Sequence, residues 1–336
     1  MKHFKQITKT IAFSMSILGT TIGAGFVSGK EIANFLGVYG NFAYLIAFLF
    51  GIIYYFTIML FYKCADSKII TNDKWFDYII LFTQFISLSA MIAGLNSLLT
   101  DYFGTQTLFY ILCVICFIII LCGLKGLTNS NLLLMPIVLV FILYLGYIAL
   151  SSNTQFNIET TNSTPTKIFS YFFIYLGLDL LSCYPICAVL SDKQSKKQKV
   201  LSAIIVATSI FSLITCYLFS VLNRGSNYAY FDLPVLHFII DHNDKLFLFT
   251  CFIVGIGIVT TLLSNGFVIY DTSKKLWDKN GFIIFLSLFC GAYIISFFGF
   301  SNIVEFLYPL IGVTGLFLIS ILIYRLRQKN KSRKNP

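Results

Sequence analysis

The chain is a succession of apolar stretches, each near the roughly 20 residues that a helix needs to cross a lipid hydrocarbon core. We read ten of them: 8–36, 41–62, 74–103, 107–124, 129–151, 167–190, 200–222, 246–270, 281–298 and 301–325. Hydrophobic residues make up 57% of the sequence and charged residues 11%. A soluble domain carries roughly 25% charged residues. With no water in the bilayer core, a chain of this kind satisfies its backbone groups within helices. The expected fold class is therefore an all-α polytopic membrane protein with ten transmembrane helices.

A net charge of +10 would suggest nucleic acid in a soluble chain. Here the basic residues fall in short connections and in the C-terminal tail. With the N-terminus inside, only Lys30, Lys167, Arg224 and Lys245 of the 24 Lys and Arg residues lie on the outer side. This bias is the positive-inside pattern. It predicts both termini in the cytoplasm, the lipid bilayer and a small solute as partners, and no nucleic acid. The basic tail 327–336 suits the anionic inner leaflet. The N-terminus MKHFKQITK resembles a signal peptide, but no A-x-A site follows, so the first span reads as retained. The nine cysteines fall almost entirely within the apolar stretches. Cys113-x-x-Cys116 has metal-like spacing, but no His or second Cys pair accompanies it, so neither a disulfide framework nor a metal cluster is expected. No HExxH or GxSxG string appears, and we expect no enzyme and no organic cofactor. The sequence carries no signal for oligomeric state.

The polar connection 152–166 divides the spans into two sets of five, 1–151 and 167–326. An odd number per half starts the second half from the opposite face, which is the condition for an inverted repeat. A second polar connection, 223–245, contains DLPVLHFII, too short to cross the bilayer. It reads as an outer-face helix or re-entrant cap carrying His237 and His242.

Within the first span, Gly19, Gly23, Gly25 and Gly29 fall close together beside Thr20 and Thr21. Each Gly costs a helix interior about 1 kcal/mol relative to Ala. Unwound backbone at membrane depth is tolerated where it is buried in protein or lines a cavity, so the stretch predicts an internal site. Close packing of helices through GxxxG spacings is the competing reading. The sixth span carries Gly177, Asp179 and Pro185, and an inverted repeat predicts a second break there. A mid-membrane carboxylate such as Asp179 marks a functional site by default.

The string Gly19-Thr-Thr-Ile-Gly-Ala-Gly25 is similar to the first-helix motif of LeuT-fold transporters and of the amino acid–polyamine–organocation superfamily. FFIYLGLD, 172–179, resembles the sixth-helix pattern of that superfamily. The longer string 19–40 resembles the uncharacterised YkvI-like bacterial membrane proteins. The resemblance implies a LeuT-like 5+5 inverted repeat with broken helices 1 and 6 in a bacterial plasma membrane. It also implies secondary active transport of a small organic solute, an amino acid or related amine, by alternating access around a midplane site. The alternative is a non-transporting receptor or sensor that retains the solute site; the short termini favour transport.

Carried over by motif, the resemblance gives Na+ as a candidate coupling ion between the carbonyls of Gly19 and Ile22 and the hydroxyls of Thr260, Thr261 and Ser264. Neutral oxygens suit a hard cation. The absence of Lys from span five favours Na+; proton coupling would use Asp179 or Glu31. Solute contacts would come from both breaks: Thr20, Thr21, Gly23, Ala24 and Gly25 in the first, Tyr175, Gly177 and Asp179 in the second. The N–H groups of Ala24 and Gly25 would receive a carboxylate, and Asp179 would neutralise an amine. Phe26 departs from the sodium carriers, where its position is polar. Glu31, at the outer end of span one, and Glu305, four residues before Pro309, are gating candidates.

Overall fold

A computed structural model describes residues 2–69, 73–151, 165–222, 231–242 and 244–334. The predicted connection 152–166, apart from its last two residues, lies outside them, as do Arg224 and the side chain of His242. Among the described residues every regular element is helical. Seven stretches are long and apolar enough to cross a membrane, and Gln106–Leu121 is a shorter apolar helix. The chain is a multi-span membrane protein.

The first span is interrupted twice. α1 (Lys2–Thr21) ends before Ile22 and Gly23, α2 (Ala24–Val27) is a single turn, and α3 (Lys30–Leu36) resumes after Ser28 and Gly29. Gly23 is extended, and Gly29 takes a left-handed φ of 81° at the N-cap of α3, a conformation that glycine adopts without the Cβ penalty. The remaining long helices are α4 (Ala43–Asp66), α5 (Lys74–Asp101), α6 (Gln106–Leu121), α7 (Gly123–Ser151), α8 (Pro165–Ser191) and α9 (Lys196–Tyr217). After the short helix α10 (Pro234–His242) come α11 (Phe247–Trp277), α12 (Gly281–Ser296), the turn α13 (Phe300–Asn302) and α14 (Tyr308–Lys334). Helices thus occupy every position read as a span.

The packing obeys an internal two-fold relation. Exchange α1 with α8, α4 with α9, α5 with α11, α6 with α12 and α7 with α14. The contact α1–α7 then becomes α8–α14, α1–α9 becomes α8–α4, and α5–α12 becomes α11–α6. Likewise α7–α11 maps to α14–α5, and α7–α9 to α14–α4. Each of these five contacts and its image are both present, as expected of an inverted repeat of five helices, although α1–α11 and α6–α7 have no image of comparable extent.

The expected break in the sixth span is absent. α8 runs uninterrupted through Gly177, Asp179 and Pro185. Gly177 serves helix packing instead. A Cβ there would stand 2.9 Å from Leu316 Cγ and 3.0 Å from the carbonyl carbon of Gly312. A Cβ on Gly315 would stand 2.7 Å from the carbonyl carbon of Gly177. Small residues on both helices let the backbones of α8 and α14 touch. The backbone departures in the second half lie after α9, where Leu218–Leu222 form a π-helical turn, and in α14's approach. Residues Ile303–Leu307 form a π-helical turn, because Pro309 lacks the N–H that would bond the Glu305 carbonyl.

The helix ends assigned to one face of the membrane meet there. Asp66 at the end of α4 pairs with Lys199 of α9 at 2.5 Å and accepts from Ser191 of α8 at 2.6 Å. Asp77 of α5 pairs with Lys275 of α11 at 2.7 Å, and Asp73 with Arg325 of α14 at 2.5 Å. At the opposite end, the Val235 N–H of α10 donates to the Ser28 carbonyl in the first-span break at 2.9 Å. Lys30 donates to the Phe231 carbonyl at 3.0 Å, and Ser301 hydrogen-bonds Asp232. The short apolar helix read from DLPVLHFII is therefore a cap docked on the interrupted helix.

Candidate functional site

The break exposes backbone groups that three neighbouring helices answer. The Thr261 hydroxyl of α11 donates to the Ile22 carbonyl at 2.8 Å, across 239 residues of sequence. Both residues are buried. Thr260 donates to its own helix at Gly257, 2.8 Å. Ser264 donates to the Thr260 carbonyl at 2.9 Å and accepts from Asn131 Nδ2 of α7 at 3.2 Å. A Cβ on Gly19 would stand 2.9 Å from Asn131 Cγ, so the amide rests directly on that glycine. The Asn131 Oδ1 is buried and lacks a hydrogen-bond partner. The expected ion residues thus gather in one place, with Thr261 making the direct link to the break.

One turn further, the break meets carboxyls. The Ala24 N–H donates to Met91 Sδ of α5 at 3.2 Å. A Cβ on Gly25 would stand 2.6 Å from the carboxyl carbon of Glu31. Glu31 is 4% exposed and Asp179 3%, and the two lie within electrostatic reach of each other. Neither enters an ion pair among the described residues. The Tyr54 hydroxyl of α4 faces Asp179 without completing a hydrogen bond, and the hydroxyls of Tyr54 and Tyr175 and the Oδ2 of Asp179 are all buried and unpartnered. Tyr175 precedes Asp179 by four residues on α8, which places both on one helix face. Its ring stacks on Phe35 at 5.3 Å and tilts against Phe50 at 5.3 Å. Tyr308, ahead of Pro309, feels both carboxyls from α14.

Several expected residues stand elsewhere. The Thr20 hydroxyl donates to Ile17 at 2.5 Å and the Thr21 hydroxyl to Leu18 at 3.0 Å, finishing α1 instead of facing a solute. Gly177 belongs to the α8–α14 contact. Glu31 is buried and points inward over Gly25, because the turn at Ser28–Gly29 redirects the chain before α3 begins. Glu305 is exposed within the π-helical turn, and the cation near it is Lys30. Sequence reasoning passed over Tyr54, Met91, Asn131 and Tyr308. Asn131 left a signal, an amide beside Asn129 at the start of an apolar span. Tyr54 and Tyr308 left none among 20 tyrosines.

At the basic end of the bundle a cleft of about 260 Å³ lies between α4, α5, α8 and α11, lined by Phe76, Asp77, Tyr184, Asp271 and Thr272 among others. At the opposite end α10 covers the break.

This geometry has a counterpart among solved structures. The inward-facing conformation of Mhp1 superposes with a TM-score of 0.53 at 12% identity, over 91% of this chain and 72% of that one. The fold is LeuT-like. A second Mhp1 structure, described as a nucleobase-cation-symport-1 family transporter in a closed conformation with bromovinylhydantoin bound, gives a TM-score of 0.46 at 12% identity over 94% of this chain and 75% of that one. In sequence, the chain is similar to the uncharacterized protein YyaD of Bacillus subtilis (strain 168), 24% identical over 94% of this chain and 96% of the relative. It is also similar to the uncharacterized membrane protein YkvI of the same organism, 20% identical over 99% of this chain and the whole of the relative. The resemblance to YkvI read from the first span therefore extends along nearly the full length. No protein-family model matches the chain.

Proposed function

We propose that the chain is a secondary active transporter of a small organic solute bearing an amine, an amino acid or related amine, coupled to Na+ or H+. Its ten spans cross a bacterial plasma membrane with both termini in the cytoplasm. The halves 1–151 and 167–326 supply a bundle and a scaffold that rock against each other around the break. The observation that carries this reading is the bond from Thr261 to the Ile22 carbonyl, made where the first span unwinds and beside two buried carboxyls. Unwound backbone at membrane depth, tied to a hydroxyl from the other half, is what a midplane site between inverted repeats needs.

The donor set suits a monovalent cation. The Ile22 carbonyl and the Thr260, Thr261 and Ser264 hydroxyls are neutral oxygens, and Na+ bound there would supply positive charge beside the break. Thr261 is placed to exchange its bond to Ile22 for shared coordination, which links ion occupancy to the conformation of the break. Proton coupling uses Glu31 or Asp179 in its stead. The cleft at the basic end, with the opposite end capped by α10, corresponds to an inward-facing state.

The test is uptake by the purified full chain in liposomes, with Na+ and pH gradients imposed separately and labelled amino acids and amines outside. Accumulation driven by one of the two gradients is expected. Absence of accumulation under both, across the whole panel, overturns the reading.

A further inference from the structure

The two carboxyls bear on what kind of solute the site can accept. A zwitterion needs a cationic or N–H partner for its carboxylate. The N–H groups of Ala24 and Gly25 are the candidates suggested by the sequence, and the chain's own side chains crowd both positions. Ala24 donates to Met91, and the Glu31 carboxyl covers Gly25. α2 is a four-residue turn, too short to build a useful helix dipole. The charged group bearing on Glu31 is Asp179, and Lys30 turns away to Phe231, Asp232 and Glu305. A solute carboxylate entering here would meet two carboxyls and no cationic side chain among the described residues.

We propose that the transported solute is an organic ammonium without a carboxylate, held between the carboxyls of Glu31 and Asp179. This rests on the transporter reading above and narrows it. Two buried acids side by side either stay protonated or take up a cation, and an ammonium provides that charge with N–H donors for both. Asp179 Oδ2 and the Tyr54 and Tyr175 hydroxyls are buried beside one another with no hydrogen-bond partner that meets full geometry among the described residues, so the site holds acceptor capacity that an ammonium can fill. The rings of Tyr175, Phe35 and Phe50 pack together beside them. Aromatic faces attract a desolvated cation through their quadrupoles and cover the apolar part of an amine. The arrangement thus recognises a small amine with an aryl or alkyl body.

Matched pairs decide between an amine and its parent amino acid. Melting of the purified full chain is followed with phenethylamine against phenylalanine, tyramine against tyrosine, and cadaverine against lysine. At least one amine should raise the melting point in a saturable manner, and its parent should bind at least about tenfold more weakly. Glu31→Gln and Asp179→Asn should each weaken the amine by at least about tenfold, the scale of a lost hydrogen bond to a charged group. Phe282→Leu, at an exposed position remote from the site, controls for handling and should leave the amine affinity unchanged. An amino acid that binds as tightly as its amine, and is weakened by Asp179→Asn, overturns the narrowing while the site stands. Binding that neither carboxyl variant alters, in variants that melt cooperatively, overturns the site itself. A panel in which no amine binds the cooperatively melting parent protein also counts against the proposal.

Discussion

Thr261→Val separates the structural and ionic roles of the link between α11 and the first-span break. Valine nearly matches threonine in shape, so packing is preserved while the hydroxyl is lost. The Ile22 carbonyl, buried and bonded at 2.8 Å, is then left without that donor. Leaving a buried polar group unsatisfied costs about 1–3 kcal/mol, and this loss is present in any salt. A bound ion adds stability separately, about 2.7 kcal/mol at 100 times its Kd. Melting of parent, Thr261→Val and Thr261→Ser in matched NaCl and KCl therefore resolves two terms. In KCl the valine variant should be less stable than the parent by about 1–3 kcal/mol, with the serine variant nearer the parent. In NaCl the parent should gain an increment that the valine variant lacks and the serine variant keeps. Equal melting of parent and valine variant in KCl would show that the bond is not made. A Na+ increment that survives in the valine variant would remove Thr261 from the ion site.

Three further outcomes are expected. Gly177→Ala adds a Cβ into the backbone of α14; overpacking of about 1–3 kcal/mol should outweigh a helix-propensity gain of about 1 kcal/mol. Gly291→Ala meets only the edge of Phe85 at 3.3 Å and should be neutral or stabilising; a Gly177→Ala protein as stable as the parent would contradict the tight α8–α14 contact. His237 on the cap α10 stacks against Phe231 and lies 3.5 Å from the Tyr102 hydroxyl. Burial holds its imidazole below the usual range, against the opposing pull of Asp241. A depressed histidine leaves stability intact above its unfolded value, about 6.5, and stability is lost as pH falls below it. Hydrogen exchange across 234–242, corrected for intrinsic rates, should accelerate between pH 7.5 and pH 5.5, and His237→Gln should remove part of that acceleration; unchanged exchange contradicts the assignment. Lys199→Met should loosen the basic end by unpairing Asp66, read as faster exchange at the end of α4 than in the parent; equal rates would show that the pair is not structural.

The span positions were legible because lipid leaves a chain few options: about 20 apolar residues and a one-sided distribution of Lys and Arg suffice. The first-span break was legible from four glycines beside two threonines, a cluster that packing through GxxxG spacings would also have explained. The second break was inferred from symmetry and was wrong. Gly177 and Pro185 look like breakers in sequence, but a glycine that faces Gly312 and Gly315 across a helix contact leaves the same trace as one that unwinds a helix. The irregular turn moved instead to Ile303–Leu307, ahead of Pro309, where the missing N–H predicts it once the proline is placed inside a helix. The inward turn of Glu31 over Gly25 was not legible, because it depends on the direction of the chain after Gly29, which the sequence does not encode as a pattern. Tyr54, Met91 and Tyr308 reach the site from helices whose sequences carry no motif at those positions. Only the packing of the two halves brings them together.

Counterflow tests alternating access itself. Liposomes carrying the purified chain are loaded with the unlabelled compound that stabilises it most in the melting panel, then diluted into a trace of the labelled compound. A site reached from one face at a time predicts that label accumulates transiently above its equilibrium level, that empty liposomes show no such overshoot, and that Asp179→Asn abolishes it. Label entry that is the same with and without internal solute, or no entry at all for a compound that binds, would contradict the account.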